Sequence, residues 1–263
     1  MTVHRTLRSS ALRRIARSAL VVLAVAALPT ASPAARRQAK KPNAAKLETV
    51  QLAAPRLTGP VALEQAISKR RSIREFINKP LDYVQLGQLA WAGQGITQKQ
   101  KGLRTAPSAG ATYPVTLYFA TQDGLFVYQP QGHRLQQLQN TDLRARLTGA
   151  AFNQKAVAEA GCDIILTGST KKMRTKFANK SRTYMLLEAG HIAQNIQLQA
   201  VALGLGSVTI GSFDARSILK LLRRGTDYEP VYIIPVGYPV EQRATTPEEL
   251  KQNQTKSEAG MQK

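Results

Sequence analysis

Apolar and polar positions separate most sharply between Tyr184 and Gly211, YMLLEAGHIAQNIQLQAVALGLGSVTIG. The first two-thirds predicts a long helix, and the last third a glycine-punctuated turn running into a strand. Leu187, Ile192, Ile196, Leu198, Val201 and Leu203 form an apolar body too wide for a surface helix. Glu188, His191 and Asn195 cross that body three and four residues apart, which puts them on one face. Buried polar groups need partners. Two arrangements supply them. The helix is central to a dimer core and finds partners in a second chain or in turns, or it ends under a cofactor.

The remaining pattern predicts shorter elements. Gly59 and Pro60 mark a helix start, continued by Val61, Ala62, Gln65, Ala66 and Lys69. Asp82 with Gln85 is a capping-box pair. It opens a helix from Tyr83 to about Ala92 that buries Val84, Leu86 and Leu89, stopped by Gly93-Gln94-Gly95. That short GxG is no dinucleotide fingerprint, because no strand leads in and the third glycine is missing. Val115 to Thr121 alternates as a strand, Gln122-Asp123-Gly124 turns, Leu125 to Gln129 returns, and Arg134 to Gln139 is a third strand. Thr141-Asp142 caps a helix to about Phe152, with a short helix on to Ala160. Cys162 to Thr167 predicts a buried strand, and Thr170 to Asn179 a basic, partly helical stretch. Asp214 caps a helix through Leu222, and Tyr228 to Tyr238 is a strand buried on both faces.

Length and composition narrow the class. The chain has 263 residues and is 43% hydrophobic, enough for one large domain or two small ones with a real core. The single Cys162 forms no internal disulfide and reads as a buried strand residue. His4, His133 and His191 are far apart, no metal-ligand spacing occurs, and no metal is expected. The formal charge is +21, but residues 1–47 hold ten Lys/Arg and no acid. The other 27 basic residues against 16 acids leave +11. No RNA-binding signature and no interleaving of aromatics accompany that charge, so nucleic acid is not an expected partner. A surface that attracts anionic cofactors and substrates explains it.

Residues 1–34 have the three parts of an export signal. Arg5 to Arg17 is the positive region, Ser18 to Leu28 the apolar region, and Pro29 to Ala35 supplies small residues for cleavage after Ala34. The apolar run is short for a bilayer span, so the membrane is expected to matter only during export, to the periplasm or beyond. Arg13-Arg14 resembles a twin-arginine signal, though Ala16 stands where such signals prefer a larger apolar residue. Residues 35–56 read as a flexible linker, 57–244 as the folded domain, and 245–263 as a polar tail.

Two stretches carry candidate chemistry. Lys69-Arg70-Arg71-Ser72-Ile73-Arg74 places three guanidinium forks and a hydroxyl within five residues, an anion cradle, although a basic run at a helix C-terminus also complements the dipole. Arg104 to Pro114, RTAPSAGATYP, sets small residues between two prolines. Its exposed N–H groups can approach a flat ligand, or it is a structural loop feeding a strand.

RRSIREF, LGQLAWAGQGIT, RTAPSAGATYP, LLEAGHIAQNIQLQAVALGLGSVTIGSF and PVGYP follow one another between about Leu63 and Arg243. In that order they resemble the nitroreductase superfamily, and closely its SagB-type dehydrogenase branch. The resemblance implies an α+β sandwich, a mixed and mainly antiparallel sheet wrapped by helices, in an intertwined homodimer with FMN at the interface. It implies FMN phosphate and ribityl ligands at Arg70, Arg71, Ser72 and Arg74, with a second phosphate ligand at Arg243. Pro107, Ser108, Ala109 and Gly110 resemble the loop the other subunit lays against the flavin. Thr209, Ile210 and Gly211 resemble the segment beside the isoalloxazine, whose N–H groups reach N5.

The implied activity is hydride transfer through flavin N5 to or from a small molecule or peptide, with NAD(P)H a possible donor. No side-chain catalyst is expected beyond a candidate base, Lys176. Azoline dehydrogenases of the branch use a Lys-Tyr pair where this chain has Lys176-Phe177, so the phenol is missing, with Tyr184 nearby in sequence. A generic exported FMN oxidoreductase is therefore favoured over an azoline-type peptide dehydrogenase or a non-catalytic FMN-binding protein.

Overall fold

The structure is a computed structural model that describes residues 47–240 apart from Lys172. The expected export signal, the first part of the linker, the polar tail and Arg243 lie outside the described residues. In chain order the strands are β1 (Thr49–Gln51), β2 (Phe76–Ile77), β3 (Ile96–Gln98), β4 (Leu103–Arg104), β5 (Val115–Thr121), β6 (Gly124–Gln129), β7 (Arg134–Gln139), β8 (Cys162–Gly168), β9 (Gly206–Ser207) and β10 (Glu229–Pro239). The helices are α1 (Leu63–Lys69), α2 (Tyr83–Gln94), α3 (Arg144–Ala150), α4 (Lys155–Glu159), α5 (Arg174–Phe177), α6 (Ser181–Ala202) and α7 (Ala215–Leu222).

The main sheet runs β1-β7-β6-β5-β8-β10-β2, with β9 also on β10, and its strand pairs are antiparallel. Strand side chains alternate between faces, and each face has its own core. Cys162, Ile164 and Leu166 of β8 join Leu117 and Phe119 of β5 beneath α2 and α6. Ile165 joins Tyr118 and Ala120 beneath α3, α4 and α7. Helices cover both faces, so the expected α+β sandwich with a mainly antiparallel sheet is the observed fold.

Local chemistry explains several boundaries. Asp82 accepts from Gln85 N–H at 2.7 Å, and Gln85 Oε1 accepts from Asp82 N–H at 3.1 Å, the two halves of a capping box. Asp214 accepts from Arg216 N–H and Ser217 Oγ and opens α7. Asp142 accepts from Arg144 N–H and so fixes the entry to α3.

Other elements differ from expectation. Thr49–Gln51, inside the stretch read as linker, is an edge strand on β7, and Leu52 is buried beside it. Helix α1 begins at Leu63 rather than Pro60, and Val84, on the outer side of α2, is exposed. The polar line on α6 is divided. Glu188 is turned inward and buried, Asn195 is half-buried with Nδ2 donating to Thr105 O at 3.4 Å, and His191 is exposed. Leu187 is also exposed, so the wide apolar body of α6 has an outer face that this chain leaves uncovered.

Candidate functional site

The residues singled out in the sequence fall into two groups, one at each end of α6. At its C-terminal end the chain turns through Leu203-Gly204-Leu205 into β9. Ser72 forms a parallel bridge with Ser207, and Ile73 N–H donates to Ser207 O at 3.0 Å. Gly206 exists to admit this contact. A Cβ there would lie 2.8 to 3.1 Å from Cγ2, Cβ and Cγ1 of Ile73. The Arg70–Arg74 segment is thus pinned beside the strand that leads to Thr209–Gly211. The end of β10 joins the same corner, where Val240 N–H donates to Glu75 O at 3.2 Å. The chain therefore leaves the described residues toward Arg243 from beside Arg74.

Arg70 is half-buried, and Arg71, Ser72 and Arg74 are exposed. Arg71 Nη1 donates to Ser68 O and Arg70 O at 3.0 and 2.7 Å, which orients its fork. Among the described residues none of the three arginines is in an ion pair, and the neighbouring Glu75 pairs with Lys155 instead. Three uncompensated guanidinium groups on one short segment fit a dianionic phosphate.

The strand beyond β9 presents alternate N–H groups. Val208 and Ile210 donate to Pro235 O (3.3 Å) and Ile233 O (2.8 Å) of β10, so Ile210 has no free N–H for a ligand. The N–H groups of Thr209 and Gly211 point the other way and have no acceptor among the described residues. A Cβ at Gly211 would meet nothing within 4 Å. Unused N–H donors and an uncrowded glycine beside an arginine cradle suit a flat, anionic cofactor such as FMN, so the residues present fit that group.

The second group lies at the other end of α6. Pro107-Ser108 leads into a single 3-10 turn, Ala109–Ala111, with Ala111 N–H donating to Ser108 O and Tyr113 N–H to Ser108 Oγ at 2.9 Å. Gly110, Ala111 and Tyr113 have φ of 57°, 53° and 47°, and left-handed backbone is strained for the latter two. Lys176, exposed on α5, lays its ammonium against Gly110, where a Cβ would collide with it. Its neighbour Phe177 packs edge-on against Tyr184, ring centroids 5.1 Å apart. The helix position facing Ser108, Glu188, stands roughly 20 Å from the end of α6 at 1.5 Å of rise per residue. Within one chain the loop and the arginine cradle do not meet.

Sequence reasoning missed what lies behind the loop. Gln94, buried at the end of α2, donates to Glu188 Oε1 at 3.0 Å and accepts from Arg104 Nη1 at 2.6 Å. Burial pushes the Glu188 carboxyl up, while Ser108, Gln94, Val115 N–H and Arg104 favour its charged form. Burial lowers the Arg104 guanidinium, and Glu188 opposes that. The signal was available: Gln94 is a polar residue on the core side of a capped helix, in step with the polar line of α6.

A second buried carboxyl, Asp163, sits on the opposite face of the sheet, fully buried and without a hydrogen bond for either oxygen. Burial raises it well above the usual carboxylate range, only partly offset by Arg144.

Comparison with known proteins identifies the family. The nitroreductase family matches residues 67–238. A candidate nitroreductase of Methanocaldococcus jannaschii is 33% identical over 190 residues, covering 69% of this chain and 93% of its own. The crystal structure of a candidate nitroreductase from Ralstonia eutropha superposes with a TM-score of 0.68 at 29% identity, over 74% of this chain and 90% of that one. Nitroreductase A from Vibrio parahaemolyticus, at 22% identity and a TM-score of 0.52 over 68% and 69% of the two chains, shares the fold.

Proposed function

We propose, from the premise that this chain belongs to the nitroreductase family and is one of its oxidoreductases, that it binds FMN and works as an exported homodimer of the SagB type. One observation carries the reading. The two sets of cofactor-matching residues stand at opposite ends of α6, so a complete site needs the loop of one chain and the cradle of another. A two-fold pairing across the exposed face of α6, where Leu187 and His191 stand, supplies both sites at once.

Arg70, Arg71 and Arg74 would hold the phosphate, and the N–H groups of Thr209 and Gly211 would donate to the ring system. The Pro107–Gly110 loop of the partner chain would close the other side and exclude water from it. Bound FMN supplies two-electron hydride chemistry at N5. The chain's part is to orient, to neutralise anionic charge and to keep the pocket dry. Arg243, outside the described residues, is proposed as a further phosphate ligand because β10 delivers the chain beside Arg74. NAD(P)H is a proposed donor, and a small organic molecule the proposed acceptor. The domain limits given above, the linker strand aside, and export by the N-terminal signal belong to the same proposal.

A second reading keeps azoline-type dehydrogenation of a peptide. Its support is the Tyr184 ring packed on Phe177, which brings a phenol to the neighbourhood of Lys176 although residue 177 lacks one. The absorbance spectrum of the purified protein tests the main proposal. Flavin bands near one FMN per chain are expected; a colourless protein that takes up no added FMN overturns it. NAD(P)H-dependent bleaching with turnover of a nitroaromatic or quinone supports the generic reading, and bleaching by an azoline peptide alone supports the second.

A further inference from the structure

Binding a cofactor does not account for the buried polar residues between α2, α6 and the loop at 107–113. Glu188 lies in the N-terminal half of α6, 1% exposed, where packing alone calls for an apolar side chain. Its Oε1 accepts from Gln94, and Gln94 accepts from Arg104. The backbone N–H of Arg104 donates to Tyr113 Oη at 3.1 Å, and its guanidinium lies over the Tyr113 ring at 4.3 Å. Tyr113 N–H donates to Ser108 Oγ, and the Ser108 side chain faces Glu188 again. These bonds, with the Ser108 side chain close to Glu188, run most of the way around the loop. One oxygen, Glu188 Oε2, is buried without a partner at hydrogen-bonding geometry, and it is costly to keep there. The loop is itself strained, with Ala111 and Tyr113 in left-handed backbone. A buried carboxyl with an unpartnered oxygen facing a strained loop is the mark of a device that holds the loop rather than of ordinary packing.

We propose that Glu188 is a positioning residue. Through Ser108 on one side and Gln94, Arg104 and Tyr113 on the other, it holds the 107–113 loop in the conformation that meets the partner subunit's cofactor. The cofactor half of this statement rests on the FMN reading above; the loop half does not. Glu188 also balances the Arg104 guanidinium, so its loss leaves a half-buried cation without its counter-charge.

The test uses the full chain without flavin and measures amide hydrogen exchange at Ala111, Thr112 and Tyr113. All three N–H groups are bonded inside the loop, to Ser108 O, Ala109 O and Ser108 Oγ. Glu188→Gln keeps the shape and the bond from Gln94 but turns a donor toward Ser108. Exchange at the three amides should rise roughly ten- to a hundredfold, while β8 keeps its protection. Ser108→Ala should loosen the same amides, and the double variant should exceed neither single one. Gln94→Met, which cuts these bonds elsewhere, should loosen them too and serves if Glu188→Gln does not fold. Exchange within about twofold of wild type, additive effects in the double variant, or a rise that spreads equally to β8 each overturns the proposal. Flavin-loaded Glu188→Gln should release FMN faster by a similar factor. A chain that takes up no flavin fails the cofactor reading alone, since the exchange result is obtained without it.

Discussion

The contact between Gly206 and Ile73 permits a worked test of how the arginine cradle is held. In Gly206→Ala the new Cβ meets three atoms of Ile73 at 2.8, 2.9 and 3.1 Å. These atoms lie next to the Ile73 backbone, and a β-branched side chain has little rotamer freedom with which to yield. Relief requires the 70–74 segment to move off β9, which also weakens the Ile73 N–H to Ser207 O bond of 3.0 Å. Overpacking of this kind costs about 1–3 kcal/mol, and the hydrogen bond about 1 kcal/mol. Together these come to about 2–4 kcal/mol; for a domain of this size each kcal/mol lowers Tm by about 2–4 °C, so a fall of about 4–16 °C is expected. FMN retention on desalting should fall with it, because the arginines move with Ile73. Adding Ile73→Ala removes the collision and should recover part of both losses, a favourable coupling of about 1 kcal/mol or more. A Gly206→Ala variant that matches wild type in Tm and flavin retention would refute the reasoning. So would an Ile73→Ala change that only adds to the damage.

Other outcomes follow from the same contacts. Replacing Arg70 and Arg74 together by Ala should reduce bound FMN well below one per chain on desalting; stoichiometric flavin in that variant sinks the phosphate assignment. Asp163 has a folded-state pKa raised by burial, so the stability it contributes is whole below its unfolded pKa of about 3.9 and is lost as pH rises toward the folded value. Relative to Asp163→Asn, urea unfolding of wild type should therefore weaken by up to about 1.4 kcal/mol per pH unit across that window, and parallel pH profiles would count against it. Gly168→Ala would drive a Cβ into Met185, 2.5 Å from its Cγ, between β8 and α6. Lower Tm is expected there, by about 1–3 kcal/mol in stability, and an unchanged melting curve would show that Met185 repacks freely. Lys176→Ala should leave the rate of flavin reduction by NAD(P)H nearly unchanged, and a hundredfold loss would make Lys176 a base.

The parts of the fold that were legible in the sequence are those whose signals are local. Asp82 with Gln85, Asp214 before α7, and the strand alternation from Val115 to Gln139 each state their element within a few residues. β1 and β2 were missed because two or three residues carry no readable period, and only their partners β7 and β10 make them strands. The same holds for the site. The arginine run and the glycines are visible along the chain, but that Ile210 commits its N–H to Ile233 is a fact of sheet register. Glu188, Gln94, Arg104 and Ser108 come from α6, α2, β4 and a loop, and no spacing along the chain shows that they meet.

The span of α6 has a consequence for mixtures of chains. Its ends separate the arginine cradle from the Pro107–Gly110 loop, so in the proposed dimer every cofactor draws one group from each chain. A chain disabled at Arg70 and another disabled at Gly110 are each inert as pure dimers. Folded together, they pair at random, and about half the dimers are hybrids. In a hybrid both lesions fall on the same site, and the other site is whole. About one site in four then binds FMN although neither parent has a working one, whereas a chain carrying both lesions spoils both sites of any dimer it joins.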